Sequence, residues 1–361
     1  MNFPGLDPAW ILTHRSLQHA GVIRPWNLGA CRNEINRGAK VLVVSSTALG
    51  DTVLCTPLLR ALSENLGRDH TGFLVKKPYR DLYAADAAIG EVFTVSGKYR
   101  GWLEMRRKIL DGGYQIALIA NTTEPDLIPW LWHCGIRGFL RYRSRWSQWS
   151  GWFANINMMR KPGEPDYATG HAIDNNLAMA EALGLAANER RTRLSLPDTI
   201  SDSRQPIIMI HPGASRPRKR WPLERWIYVG RMLLDERPEA RVLVTGSKEE
   251  AADAARLAEA LGPRATNLAG NLGLMKLLEL QSQAALFLSG DTGPYHMAVA
   301  VDCPTVTLFA PTDRGSSAEA CGPKYSDPSR HAVLEISSFE AGISSIRAES
   351  VLAEAHRMLR G

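Results

Sequence analysis

The stretch VLVVSSTALGDT, residues 41–52, decides the fold. Its first four residues are apolar without alternation, a run that suits a strand covered on both faces of a parallel sheet. The Gly-Asp pair marks a turn, and residues 52–66 carry the apolar spacing of a helix. Strand, glycine turn and helix in that order form the place where α/β proteins hold a phosphate on backbone N–H groups. Here the glycine is followed at once by a carboxylate, Asp51. Asp51 either caps the helix, Gly50 making the tight turn, which is worth about 1 kcal/mol, or it does chemistry that a phosphate loop does not need.

The same alternation runs outward from this stretch. Runs rich in β-formers at residues 71–76 (TGFLVK), 91–96 (EVFTVS) and 115–121 (QIALIAN) are interleaved with helical spacing, as at residues 103–111. A polar stretch with two prolines, LPDTISDSRQP (196–206), reads as a linker. Beyond it, strands are expected at 207–211, 241–246, 266–270, 285–290 and 305–310, with helices at 223–236, 249–261 and 273–283 and another from Pro294. The pattern predicts two doubly wound α/β halves. The expected boundaries are 1–198, with an irregular leader over 1–38, then 199–340, then a C-terminal segment 341–361. Its amphipathic helix, over 344–359, is expected to pack back on the N-terminal half.

The chain has 361 residues, enough for two cores, and its 45% hydrophobic and 22% charged content is that of a soluble globular protein. No segment approaches the ~20 apolar residues of a membrane span, and the start lacks the pattern of a secretory signal. The expected location is the cytoplasm. Five scattered cysteines without a C-x-x-C pair suggest neither a disulfide framework nor a zinc site. The net charge of +6 favours anionic partners such as nucleotides, phosphorylated glycans or an acidic membrane surface. No nucleic-acid-binding motif is present.

Three further patches sit where strands end, the side of an α/β sheet that lines binding crevices. In HPGASRPRKRWP (211–222), Ser215, Arg216, Arg218, Lys219 and Arg220 precede a helix, a place for an anion. In VTGSKEE (244–250), Glu249 and Glu250 open a helix; the dipole alone favours them there, and either one suits a ribose hydroxyl. In LSGDTGPYHMAVAVDCPTVTLFAPTD (288–313), Asp291, Thr292 and Gly293 form a turn, Pro294 suits a first helical position and His296 falls in the first turn.

Together, STALGDTVLCTPLLRAL, HPGAS followed by KRWP, and the 288–313 stretch resemble the signature of glycosyltransferase family 9, the ADP-heptose:lipopolysaccharide heptosyltransferases. The resemblance runs over about residues 40–320. It implies a GT-B fold, two Rossmann-like domains facing across a cleft, with the acceptor on the N-terminal half and the nucleotide sugar on the C-terminal half. It also implies inverting, metal-independent transfer from ADP-heptose, with no cofactor beyond that co-substrate. Carried over, Asp51 matches the general base and Lys219 the diphosphate-binding lysine. Asp291, Thr292, Gly293 and His296 match the nucleotide-sugar turn, and either Glu249 or Glu250 the ribose carboxylate. Ser215 and Arg216 are expected to assist. The RPRKR loop is richer in arginine than the family pattern, and the leader is longer.

The acceptor side is suggested by Lys76 and Lys77 after a strand, and by RGFLRYRSRWSQWSGWF (137–153), whose Arg141, Arg143 and Arg145 are interleaved with aromatics. Arginines suit acidic groups on a glycolipid, and tryptophans suit sugar faces or a membrane interface; a partly buried loop with a solvated basic face is the plainer reading. The expected partners are a nucleotide sugar and an acidic glycolipid or glycan, with peripheral contact at the cytoplasmic face of the inner membrane. Rival readings are a GT-B sugar-nucleotide epimerase, a transferase acting on a protein hydroxyl, and a non-catalytic nucleotide-sugar-binding module.

Overall fold

The computed structural model describes residues 12–13, 16–17, 20–96, 101–122, 127–142, 157–159, 170–196, 206–214, 216–311, 317–336 and 342–360. It divides into two compact units, Met1–Arg190 and Arg191–Gly361.

In the first unit the elements run α1 (Leu28–Asn36), β1 (Lys40–Ser45), α2 (Leu49–Val53), α3 (Thr56–Leu66), β2 (Thr71–Lys76), β3 (Glu91–Val95), α4 (Trp102–Gly112), β4 (Tyr114–Asn121), α5 (Leu127–His133), β5 (Gly138–Tyr142), β6 (Asn157–Met159) and α6 (Ala172–Ala182). The six strands form one parallel sheet in the order β3-β2-β1-β4-β5-β6. Residues 41–44 of β1 are wholly buried, as the unbroken apolar run demands. Within the leader, Asn27 caps α1 by accepting the Ala30 N–H at 2.8 Å.

The second unit runs β7 (Ile207–His211), α7 (Leu223–Glu236), β8 (Arg241–Val244), α8 (Ala251–Leu261), β9 (Ala265–Asn267), α9 (Leu274–Gln283), β10 (Leu286–Gly290), α10 (Gly293–Ala300), β11 (Thr305–Phe309), α11 (Ala318–Cys321), β12 (His331–Glu335) and α12 (Ala348–Met358). Its parallel sheet has the order β12-β11-β10-β7-β8-β9. Counted from its own first strand, that is the order of the first sheet. Each sheet therefore reverses direction once, between β1 and β4 in one and between β7 and β10 in the other. Loops leaving the carboxyl ends of strands at such a reversal splay apart and leave room for a ligand.

Three expectations are corrected. The boundary lies at Arg190/Arg191, eight residues before the expected 198/199. Arg190 pairs with Asp174 at 3.4 Å inside the first unit, and Arg191 pairs with Asp302 at 2.8 Å inside the second. The C-terminal helix, expected to belong with the N-terminal half, is part of the core of the second unit. Val351, Ala355 and Met358 of α12 join the core of the second unit with Trp226 and Val229, and the Trp221 indole N–H donates to the Ile346 carbonyl at 3.0 Å. Fully burying a side chain such as Val351 or Met358 is worth about 1.5–3 kcal/mol, which holds α12 there. Finally, the segment 137–153 does not begin as a loop, because residues 138–142 are strand β5. Among the described residues no helix is long and apolar enough to cross a membrane.

Candidate active site

In the first unit Asp51 follows β1, at the reversal of the sheet. The Ser46 hydroxyl donates to Thr122 Oγ1 at 2.9 Å and the Ser46 N–H to the Asn121 carbonyl at 2.9 Å, which ties the exit of β1 to that of β4. The chain then enters α2 at Leu49. Gly50 is not the tight turn expected; it is a buried residue inside α2. Asp51 caps from within the helix, not from its N-cap: its Oδ2 accepts the Ala48 N–H at 3.2 Å and the Thr47 hydroxyl. Both donors go to one oxygen. Among the described residues Oδ1 has no partner, and the side chain is half-buried. A carboxylate held by one oxygen with the other open is placed to take a proton.

The helix expected over 52–66 is two helices, α2 and α3, interrupted at Leu54 and Cys55. Asn176, on α6, donates to the Leu54 carbonyl at 3.1 Å, supplying the partner that the interruption removes. Cys55 donates to the Asp51 carbonyl at 3.2 Å. Of the acceptor-side residues, Lys76 is half-buried at the end of β2 and Lys77 is exposed. Arg141 is only 4% exposed, and burial lowers its guanidinium to about 10, so it is not the solvated arginine of a basic loop. Arg143 and Arg145 lie outside the described residues.

In the second unit the loops after β7, β8 and β10 converge. The loop after β7 leads into a 3₁₀ turn, Pro217–Lys219, which carries the Lys219 ammonium to 2.5 Å from Asp291 Oδ2. Arg220 Nε donates to the Ala214 carbonyl at 2.9 Å and so closes this loop on itself. Asp291 follows β10, and its other oxygen lies 3.7 Å from His296 Nε2. Burial pushes the Asp291 carboxyl up, but the hydrogen bond from His296 and the Lys219 charge outweigh it and hold it well below the usual carboxylate range. Thr292 is the N-cap of α10 with its side chain uninvolved in capping, and its hydroxyl is buried without a partner among the described residues. Gly293 opens α10, with Pro294 next, so N–H groups, an ammonium and an unsatisfied hydroxyl meet at one helix N-terminus.

The two glutamates separate. Glu249 is exposed. Glu250 folds inward, its Oε2 accepting the Ser247 N–H at 2.8 Å and lying 4.0 Å from His211 Nε2. A Cβ on Gly213 would come within 2.1–2.5 Å of the Glu250 carboxyl group, so the glycine makes room for it. Burial pushes the His211 imidazole below its usual range against the pull of Glu250, and its Nδ1 meets Thr245 Oγ1 at 3.1 Å. Ser215 lies outside the described residues. Arg216 is half-buried beside the 3₁₀ turn. Asp291, His296 and Cys321 each bring one potential ligand atom within 4.8 Å of the others. The carboxylate already carries an ammonium, so a dication there would first have to displace Lys219.

The model of the family described as glycosyltransferase family 9 (heptosyltransferase) matches residues 139–332, more than half of the chain. The chain belongs to glycosyltransferase family 9. Among its relatives, the lipopolysaccharide core heptosyltransferase OpsX of Haemophilus influenzae is 28% identical over 180 residues, 48% of this chain and half the length of that relative. Lipopolysaccharide heptosyltransferase 3 of Escherichia coli is 24% identical over 287 residues, 73% of this chain and 80% of that one. The solved structure of the E. coli ADP-heptose lipopolysaccharide heptosyltransferase II superposes with a TM-score of 0.70 at 20% identity, covering 89% of this chain and 98% of that one. The fold is GT-B.

In this family 9 glycosyltransferase the matched region holds every described donor-side residue but stops short of Asp51, Lys76 and Lys77. For those three, placement rests on the geometry of the first unit. Thr47 and Gly213 were not singled out from the sequence. Thr47 carried a signal, since a hydroxyl four residues before a carboxylate at a helix start is within reach of it. Gly213 carried none, because what it accommodates is a side chain from the loop after β8.

Proposed function

We propose that the protein transfers a heptose from ADP-heptose to a hydroxyl of a lipopolysaccharide core or related surface glycan, with inversion and without a metal ion. The observation that carries this is the donor-side arrangement of Lys219, Asp291 and the Thr292 hydroxyl, buried without a partner among the described residues, at the N-terminus of α10. A departing nucleoside diphosphate gains negative charge, and a fixed ammonium with helix N–H groups stabilises it as it forms. Asp291 itself repels a phosphate; its work is to hold Lys219 and His296 in place. Glu250 is the carboxylate for the ribose, because its Oε1 is free among the described residues while Oε2 is anchored.

On the first unit, Asp51 Oδ1 takes the proton of the acceptor hydroxyl. The hydroxyl oxygen forms the new bond to the anomeric carbon as the bond to the diphosphate oxygen breaks, in one displacement. Lys76 and Lys77 face the acidic groups of the acceptor, and the net charge of +6 draws the enzyme to the anionic cytoplasmic face of the inner membrane.

A thermal-shift panel with ADP, UDP and GDP, followed by mass spectrometry of products from ADP-heptose and truncated lipopolysaccharide, tests the reading. ADP stabilises the protein most, as a ligand that binds only the folded state must, and a heptosylated product appears. Preference for UDP overturns the donor, and full turnover in Asp51→Ala overturns the base. Consumption of the nucleotide sugar without acceptor points instead to an epimerase.

A further inference from the structure

The helix that carries Asp51 has only five residues, too short to be stable by itself. Inside the first unit it is held by a buried relay. The Thr52 hydroxyl donates to the Leu49 carbonyl at 2.7 Å, and the Tyr83 phenol lies 2.6 Å from the same Thr52 oxygen. Thr52 has one proton and gives it to Leu49, so the phenol is the donor to Thr52. Both side chains are fully buried. The Tyr83 ring is itself fixed, edge-on to Phe73 of β2 with centroids 4.9 Å apart.

Tyr83 also ends the 3₁₀ segment Lys77–Leu82, which starts at one of the two acceptor-side lysines. The Tyr83 N–H donates to the Arg80 carbonyl at 3.0 Å, so ring and segment move as one body. The relay therefore joins the turn that holds the proton acceptor to the segment that meets the acceptor's charge.

We propose that Tyr83 is a positioning residue for the transfer reaction: acting through Thr52, it fixes the Asp51 helix relative to the Lys76–Lys77 end of β2. This rests on the reading of Asp51 as the base. With the carboxylate displaced, the enzyme still binds both substrates through other residues, but the carboxylate meets the hydroxyl at the wrong angle, so the loss falls on kcat and not on KM.

In the full chain, with ADP-heptose and lipopolysaccharide from a heptose-deficient strain as the acceptor probe, Tyr83→Phe and Thr52→Val each lower kcat about 10-fold. Both KM values stay within about twofold. The double variant loses no more than either single one, because each breaks the same relay. Thr52→Ser, which returns the hydroxyl, recovers most of the rate lost in Thr52→Val. A merely structural role lowers the melting temperature but leaves kcat per folded enzyme unchanged. That result, or losses that multiply in the double variant, overturns the proposal. Asp51→Asn measured alongside separates the two layers. Full turnover there overturns the base and the relay with it, whereas abolished turnover together with an unchanged rate in Tyr83→Phe overturns the relay alone.

Discussion

Two carboxylates of this protein, Asp51 and Glu250, share one design: a backbone N–H pins one oxygen and the other has no partner among the described residues. Residue identity alone suggested both as candidates, but the sequence did not separate Glu250 from Glu249. The deciding contact comes from Gly213, on a different strand exit, whose missing side chain leaves the space that Glu250 fills. Gly213→Ala tests this. The clash falls on the flexible end of a glutamate, so the carboxyl group swings away at a stability cost under about 1 kcal/mol. The donor KM should nonetheless rise about 10-fold, the loss of one charge-assisted hydrogen bond. A large fall in melting temperature with an unchanged donor KM contradicts the role given to Glu250. Asp291 sets a pH dependence of its own. Its folded carboxyl sits below the ordinary value near ~3.9, so the stability it contributes is present above that value and lost as pH falls through the folded one. Below about pH 4 the wild type should therefore lose melting temperature more steeply than Asp291→Asn, and parallel curves would show that the carboxylate is not held by Lys219 and His296.

At the scale of elements, apolar runs located nine of the twelve strands of the described residues, all but the end of β9 to within two residues, because a parallel sheet covered on both faces leaves an unbroken apolar signature; β5, β6 and β12 were not foreseen. The interruption between α2 and α3 was not legible. Residues 52–66 keep helical spacing throughout, and the partner that stabilises the break, Asn176, lies 122 residues beyond Leu54. The basic segment after residue 137 was misread for a related reason. Its charges looked solvated, yet Phe139, Leu140 and Arg141 are consecutive buried residues of a strand, so the arginine is inside the sheet's cover. Asn176→Ala leaves the Leu54 carbonyl buried without a partner and should cost about 1–3 kcal/mol, seen as a lower denaturant midpoint at unchanged slope. An unchanged midpoint would mean that the break is stable without Asn176.

At the scale of the whole molecule, alternation indicated two doubly wound halves but not that both sheets adopt one strand order, since order depends on crossover geometry that spacing does not encode. The boundary was displaced for a similar reason: composition marks the polar stretch after residue 196, while side-chain pairing assigns Arg190 to one unit and Arg191 to the other. What the whole chain does express is charge. A net charge of +6 is a long-range quantity, felt by any approaching anion before contact forms. Raising ionic strength from 0.1 to 1 M shortens the Debye length from about 10 to about 3 Å. Recognition of the acceptor by Lys76 and Lys77 therefore predicts that kcat/KM for an anionic glycolipid falls steeply over that range while kcat at saturation holds. Sedimentation with vesicles containing anionic lipid should fall in parallel, and neutral vesicles should not sediment the protein at any salt. Should kcat/KM stay level while vesicle binding disappears, charge serves the membrane alone, and the two lysines are not the acceptor's contacts.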